Sequence, residues 1–198
     1  MANKDKKELL IQTAIDLFSK KGYQDASIRD MGEVAKVNTA LFYHYFTDKE
    51  EILYIIIERF SKYLVNVLKE IQSKESDPLE CLKKMIARHV SFCREFKKES
   101  KVTVEENYWL RGRRRADCIW MQREVYDIYM NQLKQLEQSN ILLNVNLSVL
   151  NFVILGMINW FYRWYKEGKS LGEEDIADQM VKILFWGIVR EHGNNGKI

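Results

Sequence analysis

Arg111-Gly112-Arg113-Arg114-Arg115 is the densest run of a single chemistry in this 198-residue chain. Guanidinium forks bind phosphates and carboxylates through paired N–H donors, so four of them could clamp an anion; the plainer reading is a solvated face. The run closes a basic stretch: residues 81–116 hold eleven Lys/Arg against four Asp/Glu, whereas residues 1–60 hold nine against ten. Glu105 and Glu106 beside Tyr108 and Trp109 offer the opposite chemistry, an acidic and aromatic wall suited to a lipophilic cation. A third cluster, residues 38–51, mixes Asn38, Thr39, Ala40, Tyr43 and His44 with Phe42, Tyr45 and Phe46 and then turns at Asp48. That mixture suits a short element anchored through one side and reading a surface through the other.

Other chemistries are missing from the sequence. It has no paired carboxylates on one helix, no metal-ligand spacing, no glycine-rich phosphate loop and no activated nucleophile. The expectation is therefore no catalytic residue, no metal and no cofactor. Cys81, Cys93 and Cys118 show no CxxC pairing and read as reduced core thiols. The longest apolar run, 152–158, falls far short of the roughly 20 residues a bilayer requires, and charged residues 4–8 precede any apolar stretch. A cytoplasmic protein with no membrane partner is expected.

The elements that must position these clusters are helices. Hydrophobic residues make up 46% of the chain, one proline and nine glycines punctuate it, and no alternating strand-length run occurs, so the expected fold class is all-α. Leu10, Ala14, Leu17 and Phe18 stripe a helix over about 6–21 that Gly22 stops. Ser27 and Asp30 resemble a capping box for a helix carrying Ile28, Met31 and Val34 inward to about Ala35. Asn38 caps the next, very short helix, and Gly32 faces the turn between the two, where a larger side chain would push them apart. Two short helices joined by about three residues form a helix-turn-helix unit, whose second member enters a DNA major groove. Asp48, with Glu51 closing a capping box, opens a long helix to about Ile71.

Further along, Asp77-Pro78 starts a helix lined by Leu79, Leu82, Ile86, His89 and Cys93, with His89 read as a core histidine. Residues 144–167 are apolar nearly all round, which predicts burial on several sides. The last helix, about 173–191, stripes Ile176, Met180, Ile183, Leu184, Gly187 and Ile188.

Phe18, Gly22, Ser27-Ile28-Arg29-Asp30-Met31 and Ala35 to Glu50 resemble the DNA-binding head of TetR-family repressors. The resemblance implies a helix-turn-helix head over 6–66 (motif about 27–46) and an effector-binding and dimerisation domain over 67–192. It departs at Lys36, where the family usually has a turn glycine, at Asn38 for serine and at Leu41 for threonine. It implies DNA contacts from Ser27, Asn38, Thr39, Ala40, Tyr43 and His44, and a phosphate contact from Lys49. A head of net charge minus one should bind DNA by placement, with modest non-specific affinity.

A narrower resemblance covers Leu155 to Tyr165, Gly168 and Leu171 to Ala177. It is similar to TetR repressors that respond to acyl-coenzyme A thioesters, and implies Asn159, Trp160, Arg163 and Trp164 as residues lining or gating the ligand site. Coenzyme A carries phosphates and adenine, chemistry that the basic stretch, Arg111, Arg113, Arg114 and Arg115 above all, could serve. The family's dimer implies an interface of Phe152, Val153, Gly156, Met180, Ile183, Leu184, Gly187 and Ile188. The expected protein is a homodimeric repressor on a palindromic operator, released by an acyl-CoA; the alternative effector is a lipophilic cation or drug.

Overall fold

The computed structural model describes residues 3–165 and 173–188, with side-chain surroundings for 5–165 and 175–186. Every regular element among these residues is a helix. The chain divides into two compact units: Met1–Tyr63 with Phe96–Arg123, and Leu64–Glu95 with Glu124–Ile198. The boundary expected near residue 66 thus falls inside a continuous helix, and a segment some thirty residues further along joins the first unit.

In the first unit α1 (Asn3–Lys21) buries Leu10, Ile11, Ala14, Ile15 and Phe18. Gly22 ends it at φ 85°, its N–H donating to Phe18 O at 2.9 Å; this left-handed position is cheap only for glycine. α2 (Ile28–Ala35) starts on a reciprocal cap: Asp30 N donates to Ser27 Oγ at 3.0 Å and Ser27 N to Asp30 Oδ2 at 2.8 Å. Lys21 Nζ adds a second donor to the Asp30 carboxylate, and these hydrogen bonds hold it well below the usual carboxylate range. Aspartate therefore closes the box as glutamate would.

Val34 is not inward; it is 58% exposed. The chain turns left-handed at Lys36 (φ 53°), and this redirection hands the inward position to Val37, which packs on the core instead. A side chain with a Cβ is strained at that φ, so Lys36→Gly is expected to stabilise the head by about 0.5–1 kcal/mol, net of the extra freedom glycine gives the unfolded chain. Urea unfolding of the two proteins checks this; a destabilised glycine variant would show that Lys36 makes a compensating contact.

α3 (Ala40–Tyr45) is a turn and a half long, and Asn38 Oδ1 accepts Ala40 N at 2.8 Å at its start. α4 (Lys49–Lys74) opens with Glu51 N donating to Asp48 Oδ1 at 2.6 Å. Glu51 reaches back one residue further than a capping box requires, accepting both Thr47 N (2.6 Å) and Thr47 Oγ1 (2.7 Å). Ile52, Leu53, Ile56 and Ile57 of α4 complete the core with Met31, Phe42 and Phe46.

α5 (Pro78–Glu95) belongs to the second unit and is capped by Asp77 Oδ1, which accepts Leu79 N and Glu80 N at 2.8 Å each. α6 (Lys97–Glu106) and a 3-10 turn (Asn107–Trp109) return to the first unit, where Val102 and Leu110 enter the core. α7 (Gly112–Gln138) comes next, so Arg113, Arg114 and Arg115 lie in its first turn.

In the second unit α5 packs on α8 (Leu147–Asn159), α9 (Phe161–Trp164) and α10 (Glu173–Ile188). The expectation that 144–167 is buried on several sides is corrected. Leu150, Asn151, Ile154 and Ile158 face inward, but Val149, Phe152, Val153, Trp160 and Trp164 are exposed, Phe152 at 65%. α10 divides likewise: Met180 and Leu184 are buried while Ile183 and Trp186 face out. Gly187 and Ile188, and the segment 166–172 with Gly168, Leu171 and Gly172, have surroundings outside the described residues.

Candidate functional site

α3 presents two faces because its residues fall about 100° apart. Phe42 is fully buried and Phe46 nearly so; their rings lie 6.5 Å apart, with Leu41 and Tyr45 half-buried beside them. This leaves Thr39, Ala40, Tyr43 and His44 together on the opposite side, Tyr43 at 63% exposure. The His44 ring meets Tyr45 edge-on at 4.8 Å, so a half-buried aromatic braces an exposed imidazole. A protruding phenol, an imidazole, a hydroxyl and a methyl at this spacing match the polar and apolar features of base edges and phosphates in a major groove.

Three of the sequence-predicted DNA residues also have structural duties. Ser27 Oγ and Asn38 Oδ1 each accept a backbone N–H at the start of a helix. Lys49 Nζ donates to Tyr23 O (2.8 Å), Ala26 O (3.0 Å) and Gln24 O (3.3 Å) and stands 4.2 Å from the centre of the Tyr23 ring. An ammonium has three donors, and here three carbonyls take them. Partial burial pulls its pKa down, and the side chain ties the 23–26 loop to the first turn of α4.

The arginine run is split in the same way. Arg114 Nη1 donates to both Asp48 oxygens, at 2.8 and 3.1 Å, and Nη2 to Thr47 Oγ1 at 3.2 Å. Arg115 Nη1 donates to Asn107 O (2.8 Å) and Oδ1 (2.6 Å). Arg111 and Arg113 are exposed, the Arg113 side chain 94% so with only a long 3.9 Å approach to Asp117. Other cations of the basic stretch are matched by carboxylates outside it: Lys83 by Glu80, Lys84 by Glu75 and Lys98 by Asp16. The positive surplus counted along the chain is therefore much smaller in space.

Of the residues expected at the effector, Asn159, Trp160, Arg163 and Trp164 are all exposed; the Arg163 guanidinium lies 4.8 Å from the Trp160 ring centre. An apolar groove of about 460 Å³ runs between α8 and α10, with Val149, Val153, Met157 and Ile183 in its walls; none of Asn159, Trp160, Arg163 and Trp164 lines it. Glu105 approaches Lys101 at 3.8 Å, and Glu106 is buried against Gly22. Sequence reading missed the roles of Tyr23 and Asn107 and the Arg114–Asp48 link, because no local pattern marks partners 66 residues apart. Among the described residues no group of three His, Cys, Asp or Glu could hold a metal ion, and no helix is long and apolar enough to cross a membrane.

Residues 10–54 match the bacterial regulatory proteins of the tetR family, and residues 75–188 match the tetracyclin repressor-like C-terminal domain. The chain belongs to the TetR family. TetR-family regulators are non-enzymatic, and this one is a DNA-binding transcriptional regulator of that family. It is 22% identical over 186 residues to the HTH-type transcriptional repressor KstR2 of Mycobacterium tuberculosis, covering 92% of each chain. To YuxN of Bacillus subtilis, an HTH-type transcriptional regulator, it is 29% identical over 83 residues, 42% of this chain and 28% of that one. Among solved structures, M. tuberculosis KstR2 superposes with TM-score 0.88 at 20% identity, covering 96% of this chain and 98% of the other, a likeness of fold. AibR in complex with isovaleryl coenzyme A and operator DNA superposes with TM-score 0.84 at 27% identity, covering 90% of this chain and 97% of AibR. The matched residues 10–54 run from α1 through the helix-turn-helix of α2 and α3 into the start of α4.

Proposed function

We propose that this repressor works as a homodimer on a palindromic operator and that an acyl-CoA thioester releases it. The observation that carries the reading is the likeness over nine-tenths of the chain to AibR, whose structure holds isovaleryl coenzyme A and operator DNA. Within this chain, Thr39, Ala40, Tyr43 and His44 would read base edges and flanking phosphates, with Ser27 and Asn38 at helix starts supporting phosphate contacts. The Arg163–Trp160 pair, a cation over an indole face in solvent, suits a phosphate beside a flat adenine, and Asn159 and Trp164 flank it. In the first unit, Arg111 and Arg113 keep exposed side chains that could each meet a phosphate.

A second copy accounts for the apolar face of the second unit. Val149, Phe152, Val153 and Gly156 recur at i, i+3, i+4 and i+7 on α8, and Ile183 and Trp186 stand exposed on α10. A Cβ built on Gly156 meets nothing within 4 Å, so that position is open for a close helix approach. Two heads can then span half-sites about 34–36 Å apart. The cation alternative loses its acidic wall, since Glu105 faces Lys101 and Glu106 is buried.

Ligand and operator must oppose each other reciprocally if one releases the other. A duplex is selected from a random pool by the full chain, and its affinity is then measured against acyl-CoAs from short to steroid-sized, with free coenzyme A as control. At least one acyl-CoA should weaken operator binding roughly fivefold or more. If none shifts the affinity, the effector reading falls while the repressor remains.

A further inference from the structure

The α3 helix is six residues long, too short to hold itself, so its orientation is imposed by the chain just after it and by the core it packs on. One residue after α3 ends at Tyr45 comes Phe46, then Thr47 and Asp48, and these last two are the groups Arg114 grips. Asp48 carries two loads at once: Oδ1 caps α4 through Glu51 N, and both oxygens receive Arg114 Nη1, while Nη2 goes to Thr47 Oγ1. Glu50, at the start of α4, accepts Arg111 N at 3.0 Å and approaches the Arg114 guanidinium at 3.8 Å. Arg115 meanwhile fastens the 107–111 turn through Asn107, which fixes where α7 begins.

The electrostatics explain why carboxylates and arginine meet here. α7 has no acidic residue in its first turn and three arginines instead, at the end of a helix that already carries positive partial charge. Asp48 and Glu50 supply the missing anions, and they stand at the start of α4, also a positive helix end. Two helix N-termini therefore share one pair of carboxylates. The guanidinium is planar and uses two nitrogens, Nη1 on Asp48 and Nη2 on Thr47, so it sets an angle as well as a distance; a lysine ammonium would set only a distance.

We infer that Arg114 is a positioning residue for DNA reading: it locks the exit of the recognition helix and the first turn of α4 to the start of α7, without itself touching DNA. This goes beyond the effector proposal and rests only on operator binding by the head. Its lower exposure, its grip on both Thr47 and Asp48 and the shared carboxylate set it apart from Arg113, one residue earlier on the same helix and almost wholly in solvent.

The test uses the full chain and the duplex that the wild-type protein selects, with binding followed by fluorescence anisotropy from low to high salt. Arg114→Ala should bind three- to tenfold more weakly, by about the weight of one ion pair at a half-exposed carboxylate with its neighbouring hydroxyl bond, with the slope of log K against log salt unchanged. Asp48→Asn keeps an N-capping side chain but removes the anion, and should lose the same factor. The double variant should bind no worse than either single one, because one link has been cut twice. Arg114→Lys should recover part of the loss. Unchanged affinity in Arg114→Ala overturns the inference, as does a salt slope shallower by about one, which would make Arg114 a phosphate contact. Multiplying losses in the double variant overturn it as well. Should Arg114→Ala melt early, Arg114→Lys and Asp48→Asn carry the comparison.

Discussion

Gly32→Val is expected to weaken specific operator binding roughly a hundredfold while leaving the second unit folded. A Cβ built on Gly32 comes 3.0 Å from Val37 O and 3.3 Å from Thr39 Cγ2. The first of these is a backbone carbonyl in the turn between α2 and α3, held by the chain on both sides, and Val37 N donates back to Gly32 O at 2.9 Å. Valine adds two further methyl groups at the same spot, so the turn must open and α3 must swing. Such overpacking costs about 1–3 kcal/mol of head stability. The loss in binding is larger, because Tyr43, His44 and Thr39 all ride on α3, and one or two base-edge contacts at about 1–3 kcal/mol each amount to roughly a hundredfold. Gly32→Ala should fall between, since the single Cβ clashes but alanine favours helix by about 1 kcal/mol. The check is anisotropy with the selected duplex alongside thermal unfolding. Wild-type affinity in the valine variant would show that the turn yields without moving the recognition helix.

The second large effect is on acid stability. His89 is buried between α5 and α7, with Nδ1 3.1 Å from Tyr129 Oη. Tyr129 O–H donates to Met85 O at 3.3 Å, so the phenol oxygen is left to accept a proton held on Nδ1, and the ring is neutral. Burial pushes the His89 pKa down to about 3, from 6.5 in an unfolded chain. Below pH 6.5 the unfolded state therefore binds a proton that the folded state refuses, and stability drains as pH falls from 6.5 toward 3. At about 1.4 kcal/mol per unit, this single residue removes roughly 2 kcal/mol by about pH 5. Urea unfolding at about pH 7.5 and about pH 5 should show that loss, and His89→Gln should show a loss smaller by about the same amount. An equal loss in both proteins would place the acid sensitivity elsewhere.

The helix starts were legible in the sequence because capping is local. Ser27 with Asp30, Asn38, Asp48 and Asp77 each satisfy backbone N–H groups within three residues, so residue type and spacing suffice. The inward and outward division of α3 was legible for the same reason. Val34 was not, because which valine packs depends on the left-handed turn at Lys36, and a lysine gives no signal for that conformation. The apolar surround of 144–167 misled in a different way. Hydrophobicity says that a surface is to be covered, and it does not say whether the cover comes from the same chain. Val149, Phe152 and Val153 stand open because no described residue of their own chain covers them.

By itself, then, the sequence determined an all-helical chain, the order and caps of its helices, and a head of the TetR kind. Only the tertiary structure decided what the charges do. A count along the chain sums residues that are neighbours in sequence, whereas Coulomb energy falls with distance in space. Arg114 meets Asp48 66 residues away, and Lys98 meets Asp16 82 residues away. The arginine run that reads as an anion clamp is, at Arg114 and Arg115, a fastening of the DNA-reading head, and the basic stretch keeps little of its surplus once the chain has closed on itself.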